Sequence, residues 1–124
     1  MATIKSYTDL EQSKVLARIL PIENADMYYA HGAITPDIMI GSKQDYKCYT
    51  MCWSLAALLG VIPQEIFDGE YVINITEGCD NRWVLTYNHC ENRRHSHHGL
   101  YTGADNLIDA CYEMVLKLHE LNLL

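Results

Sequence analysis

The chain has 124 residues, 49% of them hydrophobic, so it can bury one core without metal or disulfide support, and we expect a single domain over residues 1–124. Its net charge of −7 argues against general nucleic-acid binding, because affinity for phosphate backbones comes from an excess of lysine and arginine. No stretch approaches the roughly 18 consecutive apolar residues of a membrane span, and the first residues lack a secretory pattern, so we expect a cytoplasmic protein without membrane contact.

The first predicted helix spans residues 8–20. Thr8 followed three residues later by Glu11 is a capping-box pattern, in which the hydroxyl and the carboxylate each satisfy a backbone N–H at the helix start. Two short apolar or aromatic runs then follow, at 27–30 and 38–40, with glycine and proline between them. We interpret these runs as two short strands.

The middle of the chain predicts a helix and a hairpin. Residues 50–60 have the continuous apolar character of a buried helix, and Gly60 suits a C-terminal cap that needs a left-handed backbone. In residues 71–76 and 83–87, large apolar or aromatic side chains recur at every second position, which is the period of a strand. A polar turn separates the two segments, and this arrangement is typical of an antiparallel pair. The polar segment 88–103 is interpreted as a long functional or disordered loop.

The last predicted helix spans residues 105–122, with Asp105 or Asn106 as its N-cap. Asp109 near the positive end and Lys117 near the negative end complement the helix dipole. The residues of its apolar stripe are Leu107, Cys111, Met114, Val115, Leu118 and Leu121.

Together these elements predict an α+β fold. Three to four short strands form a small antiparallel sheet, and the three helices pack mainly on one of its faces. The other face and the sheet edges stay uncovered, which makes them natural surfaces for a second copy of the chain. We therefore expect a homodimer or higher homo-oligomer.

Three segments carry a resemblance to known proteins: TDLEQSK with the following Leu20–Pro21, CWSLAALL at 52–59, and DNLIDACYEM at 105–114 with LKLHE after it. In this combination the chain resembles a group of small proteins of uncharacterised function encoded by phages, prophages and mobile elements of gut anaerobic bacteria. The resemblance implies a non-enzymatic accessory protein of the bacterial host cytosol, which binds a host protein or a small signalling molecule and interferes with host defence. It assigns no catalytic or ligand residues.

One candidate chemistry is a thiol nucleophile. In the cytosol we expect the five cysteines to be thiols, and Cys52 lies near the start of a predicted helix, where backbone N–H groups favour thiolate. His89 follows a predicted strand and is a possible partner, in the order of papain-like and transglutaminase-like hydrolases. The simpler interpretation is a buried core cysteine. The thiol hydrolase therefore stands as an alternative function.

A second alternative is a metal site in the histidine-rich segment. Imidazole and thiolate suit zinc, yet the spacing matches no standard zinc pattern, and a solvated loop is the simpler interpretation. The possible ligands are His89, Cys90, His95, His97 and His98, with help from Cys79.

The third candidate, and the preferred one, is an anion site in the same segment. Arg93 and Arg94 provide bidentate donors for a phosphate-bearing, nucleotide-like ligand, and His97, Tyr87 and Tyr101 flank them. The simpler interpretation of the arginine pair is solvated surface charge. Since the chain has no phosphate-cradling glycine loop and no nucleotide-binding fingerprint, we predict a binding protein without a cofactor rather than a cofactor enzyme.

Overall fold

The computed structural model describes residues 5–30, 37–38, 49–78 and 80–124. The helices in this part of the chain are α1 (Leu10–Ile19), α2 (Leu55–Val61) and α3 (Leu107–Glu120), with a short 3-10 turn at Ile22–Asn24. The strands are β1 (Met27–Ala30), β2 (Asp37–Ile38), β3 (Tyr49–Cys52), β4 (Glu65–Ile66), β5 (Tyr71–Glu77), β6 (Trp83–His89) and β7 (Ser96–Ala104). None of the described helices is long and apolar enough to cross a bilayer.

The strands form two antiparallel sheets, a small one in the order β2-β1-β3 and a larger one in the order β4-β5-β6-β7. The predicted α+β class is confirmed, and so is the predicted hairpin, in which β5 pairs with β6. The sequence did not suggest that the first strands form a sheet of their own.

The large sheet has one face toward the core. Thr102 of β7 donates a hydrogen bond from Oγ1 to the carbonyl of Ala110 in α3, 2.9 Å away. The face of the sheet that carries the Thr102 side chain is therefore the one that packs against the helix. Its cross-strand partner Leu85 and the next inward residue, Tyr87, are fully buried. Tyr101, which alternates with Thr102, lies on the opposite face and is 57% exposed.

Helix α1 begins one residue later than predicted. Asp9, rather than Thr8, is its N-cap, and the capping box is completed by Gln12 rather than Glu11. Thr8 is fully buried because it bridges to the end of the small sheet: its backbone N–H donates to the Trp53 carbonyl at 2.9 Å. At the other end of the chain, Asn106 caps α3 as predicted.

The helix predicted at 50–60 was wrong in its first half. Its first residues are strand β3, in which Cys52 pairs with Met27. Ser54 then caps α2, which continues through Gly60 to Val61, so the glycine is not the cap. A short apolar run in a sequence is compatible with both a buried strand and a buried helix. Here the run forms a strand because it pairs with the neighbouring strand β1.

The loop predicted at 88–103 was also wrong, because strand β7 occupies its second half. Leu100 and Thr102 are buried and alternate with exposed Tyr101, which is the two-residue period of a strand. The polar histidines and the glycines around these residues obscure that period in the sequence. Residues 39–40 of the second predicted strand lie outside the described residues, and so do Cys48 and Cys79.

A polar contact ties the chain start to α1 and α3. Lys5 Nζ lies 2.7 Å from Asp109 Oδ1, and the Gln12 amide donates to the same oxygen at 2.7 Å. Burial acts to raise the pKa of Asp109, but the hydrogen bonds from Lys5, Gln12 and Asn106 outweigh it and hold the pKa below its ordinary value. Burial likewise opposes the charge of Lys5, yet its carboxylate partners raise its pKa.

We expect Asp109→Asn to lower the free energy of unfolding at pH 7 by on the order of 1 kcal/mol, the scale of a partly exposed charge-assisted contact. Because the folded-state pKa of Asp109 is depressed, its contribution is present above its ordinary pKa and is lost as pH falls through the folded value. Denaturant unfolding at pH 7 and at pH 3 measures this difference.

The matched control is Asp105→Asn, at an exposed carboxylate on the same side of the α3 N-terminus. If Asp105→Asn and Asp109→Asn lose equal stability at pH 7, the contact to Lys5 and Gln12 contributes nothing.

Candidate functional site

Aromatic and imidazole rings converge where β5 begins and β6 ends. Tyr71 and His89 are direct cross-strand partners, and their rings meet edge to face at 5.5 Å between centroids. The chain after β6 then folds back and brings further histidines against Tyr71. We call this ring cluster the histidine edge; it consists of Tyr71, His89, His95, His97 and His98.

Phe67 adds a ring that the sequence analysis missed. It stacks on His97 with 5.6 Å between centroids and 20° between planes, and His97 stacks on His98 at 5.5 Å and 9°. Phe67 is 47% exposed and has a φ of 53°. Its only signal in the sequence is its place before Asp68-Gly69, a pair typical of a tight turn.

Backbone hydrogen bonds fix the imidazole of His89. Its Nδ1 accepts from the N–H of Glu91 at 3.2 Å and from the N–H of Asn92 at 3.3 Å. An imidazole nitrogen that accepts has no proton, so the neutral ring carries its proton on Nε2. That nitrogen lies 3.7 Å from the carboxylate of Glu70.

His97 has the same arrangement. Its Nδ1 accepts from the N–H of Gly99 at 3.2 Å, and its neutral form therefore also carries the proton on Nε2. A Cβ at Gly99 would lie 3.2 Å from the ring carbon Cε1 of His97, so a larger residue here requires a small shift of the ring. Both fixed rings thus offer N–H donors rather than free lone pairs.

The metal alternative finds no support in this geometry. A histidine ligand binds metal through a free lone pair and donates its other N–H to a neighbouring group. In His89 and His97, by contrast, Nδ1 accepts hydrogen bonds from backbone N–H groups, and the other ring nitrogen of the neutral form carries the proton. Among the described residues, no three His, Cys, Asp or Glu side chains come together in a group able to hold a metal ion.

The thiol alternative was based on the prediction that Cys52 lies near the start of a helix, and the structure does not place it there. Cys52 ends strand β3 instead of starting a helix, and it is fully buried. Burial raises the pKa of its thiol, although hydrogen bonds with Thr8 and Ser13 act to lower it. The Sγ of Cys52 is in hydrogen-bond contact with Thr8, whereas His89 lies in the other sheet beside Glu70.

A cavity of 340 Å³ lies beside the histidine edge. Arg93, from the turn after β6, lines it together with Asn74 and Asn88. Asn88 Oδ1 is shielded from solvent and has no hydrogen-bond partner among the described residues. The remaining lining residues are Val72, Ile73, His89 and Cys90.

The predicted ligand residues are only partly brought together. Arg93 lines the cavity and His97 belongs to the histidine edge, while Arg94 is exposed in the same turn. Tyr87 was predicted to flank the arginines, and the structure corrects this prediction. Its side chain is fully buried in the core, and its hydroxyl donates a hydrogen bond to the Pro63 carbonyl at 2.5 Å. Tyr101 is exposed but lines a different cavity.

Two larger cavities have unsuitable linings for an anion. One of 480 Å³ between β7 and α3 contains the carboxylates of Asp109 and Glu113. One of 590 Å³ at the chain end is mainly apolar, with Leu20, Val61 and Leu123 in its wall. Charge therefore favours the smallest of the three, since an anion needs nearby donors.

Comparisons with family models, curated proteins and solved structures find no match to this chain.

We predict that a thiol reagent at pH 7.5 labels Cys90 and leaves Cys52 and Cys111 unmodified until the protein unfolds. Cys90 is exposed, whereas the other two are buried, and burial raises the pKa of Cys111 to about 12. Peptide mass spectrometry after alkylation measures the modification at each position. Rapid native labelling of Cys52 would restore the hydrolase alternative.

Proposed function

We propose that this chain is a non-enzymatic binding protein that holds a small anionic ligand in the 340 Å³ cavity beside the histidine edge. The observation that carries the proposal is the position of Arg93, which lines this cavity together with Asn74, Asn88 and His89. The volume lies at the lower end of the range for small-molecule sites, roughly 300–1,000 Å³.

The donors in and beside this cavity suit an anion. The Arg93 guanidinium binds phosphate or carboxylate oxygens bidentately, and the amides of Asn74 and Asn88 line the same space. The ligand is thus expected to carry a small anionic group.

Acidic neighbours limit the affinity without excluding the anion. Glu70 and Glu91 lie near His89, but both are exposed, and exposed charges are screened by water and salt. Arg93 and Arg94 supply two positive charges to the same turn. Of the residues that line the cavity, Arg93 is the one that carries a permanent charge.

The resemblance to phage proteins adds a biological setting to this proposal. An accessory protein of a phage or mobile element in the bacterial cytoplasm would use such a site to bind a host signalling molecule and so interfere with defence. Binding of a host protein is the other form of the same proposal.

We expect the double variant Arg93→Ala/Arg94→Ala to bind tripolyphosphate at least about tenfold more weakly than the unaltered protein. The reason is the loss of charge-assisted hydrogen bonds, each of roughly 1.5–3 kcal/mol, where 1.4 kcal/mol equals a factor of ten. Isothermal titration calorimetry at low salt measures the affinity.

The matched control is Arg18→Ala, which removes an exposed arginine from α1 on another part of the molecule. Equal binding by the control and the double variant would contradict the proposal, and so would a lack of tripolyphosphate binding by the unaltered protein.

We further propose self-association through the helix-free side of the large sheet. Tyr101, which does not line the ligand cavity, lies on this face at 57% exposure. We expect sedimentation velocity to give a dimer mass, and Tyr101→Glu to shift it toward the monomer by placing a charge in the interface. A single species at monomer mass for the unaltered protein would rule this out.

A further inference from the structure

We infer that the protonation state of His89 controls the proposed anion site. When the imidazole gains its second proton, the turn after β6 opens and Arg93 leaves the cavity, so the site releases its ligand in mildly acidic solution. This inference rests on the proposed anion site and adds regulation by pH to it. It concerns the backbone of the turn and requires no contact between the ligand and the ring.

The first support is the dependence of two backbone N–H groups on one lone pair. The N–H groups of Glu91 and Asn92 both donate to Nδ1 of His89, at 3.2 and 3.3 Å. Neither group has another hydrogen-bond partner among the described residues. A protonated imidazole has an N–H at both nitrogens and no acceptor. The added proton therefore points at two donors, and both bonds are lost.

The second support is the carboxylate at the other ring nitrogen. Nε2 of His89 lies 3.7 Å from the carboxylate of Glu70, and this nitrogen carries the proton of the neutral ring. When the ring is charged, the attraction to Glu70 holds it in its present place. A ring that turned over would not restore the lost bonds, because Nε2 would present an N–H to the same two donors.

Groups of both charges surround the imidazole. These are the carboxylates of Glu70 and Glu91, the guanidinium of Arg93, the cross-strand ring of Tyr71 and the imidazole of His95, whose centroid is 6.5 Å away. The carboxylates favour the second proton on His89, whereas the guanidinium and a charged His95 oppose it. An imidazole ordinarily gains this proton near pH 6.5, so the change falls in mildly acidic solution.

The third support is that the base of the hairpin has bonds of its own. The His89 N–H donates to the His95 carbonyl and the Cys90 N–H donates to the Glu70 carbonyl, both at 2.8 Å. These bonds do not involve the imidazole, so they persist when it is charged. The loss at Nδ1 therefore frees only the tip of the turn, which carries Arg93.

The first experiment is an NMR titration of the full chain from pH 7.5 to pH 5.5. We expect the amide protons of Glu91 and Asn92 to move upfield as the ring of His89 gains its proton, because they lose their acceptor. If these amides keep their chemical shifts while the ring is protonated, the inference is overturned. This titration uses the unaltered protein and does not depend on any variant.

His89→Asn should abolish the upfield shift. The Oδ1 of asparagine lies the same number of bonds from Cα as Nδ1 of histidine, so it can accept from the same two N–H groups, and it does not titrate. The melting temperature at pH 7.5 checks that this variant is folded.

The second experiment measures tripolyphosphate binding at pH 7.5 and pH 5.5 by isothermal titration calorimetry. We expect His89→Asn to bind as the unaltered protein does at pH 7.5, and about fivefold or more tightly at pH 5.5, the scale of one net hydrogen bond. A purely electrostatic role for His89 predicts the reverse, because the variant lacks a positive charge in acid. Protonation of the ligand cancels, since both proteins are compared at the same pH.

The matched control is His98→Asn, which removes another histidine of the same ring cluster. The ring of His98 makes no hydrogen bond to another described residue. This variant should therefore bind tripolyphosphate as weakly at pH 5.5 as the unaltered protein does.

The outcomes separate the two proposals. If His89→Asn binds no more tightly than the unaltered protein at pH 5.5, control of Arg93 by His89 is overturned and the anion site stands. If Arg93→Ala/Arg94→Ala leaves tripolyphosphate binding intact at pH 7.5, the anion site itself is overturned, while the amide titration still decides whether the turn opens.

Discussion

The proposed binding site depends on one interaction: Nδ1 of His89 accepts hydrogen bonds from two backbone N–H groups. Glu91 and Asn92 donate these bonds at 3.2 and 3.3 Å, and they close the turn that follows β6. The same bonds decide the tautomer, because a nitrogen that accepts has no proton in the neutral ring. Arg93 comes next in this turn, so the bonds that orient the imidazole also place the guanidinium at the cavity.

Local donors and overall charge act in opposite directions in this molecule. The net charge of −7 disfavours extended polyanions, whereas the two arginines in the turn after β6 favour a compact anion. The acidic residues Asp109 and Glu113 line another cavity between β7 and α3. A small anion can therefore meet a favourable local potential on a protein of negative net charge, since exposed charges beyond about 10 Å are screened at 0.1 M salt.

The sequence predicted those parts of the fold that local patterns determine. The β5–β6 hairpin and α3 were correct because period and capping agree in them, with Asn106 as the N-cap. Strand β3 was missed because an apolar run does not distinguish strand from helix without its neighbour β1. The anion site was predicted only in part. Arg93 was found from its charge, while Tyr87 belongs to the core and Phe67 joins the histidine edge from the turn between β4 and β5.

Nitrogen-15 NMR of the histidine side chains tests the central claim most directly, because the chemical shifts of the two ring nitrogens distinguish protonated from unprotonated positions. At a pH where the rings are neutral, we expect His89 and His97 to carry the proton on Nε2, with unprotonated Nδ1 in accord with their backbone donors. If Nδ1 of His89 carries the proton, the turn is not held by these two bonds, and they do not place Arg93 at the cavity.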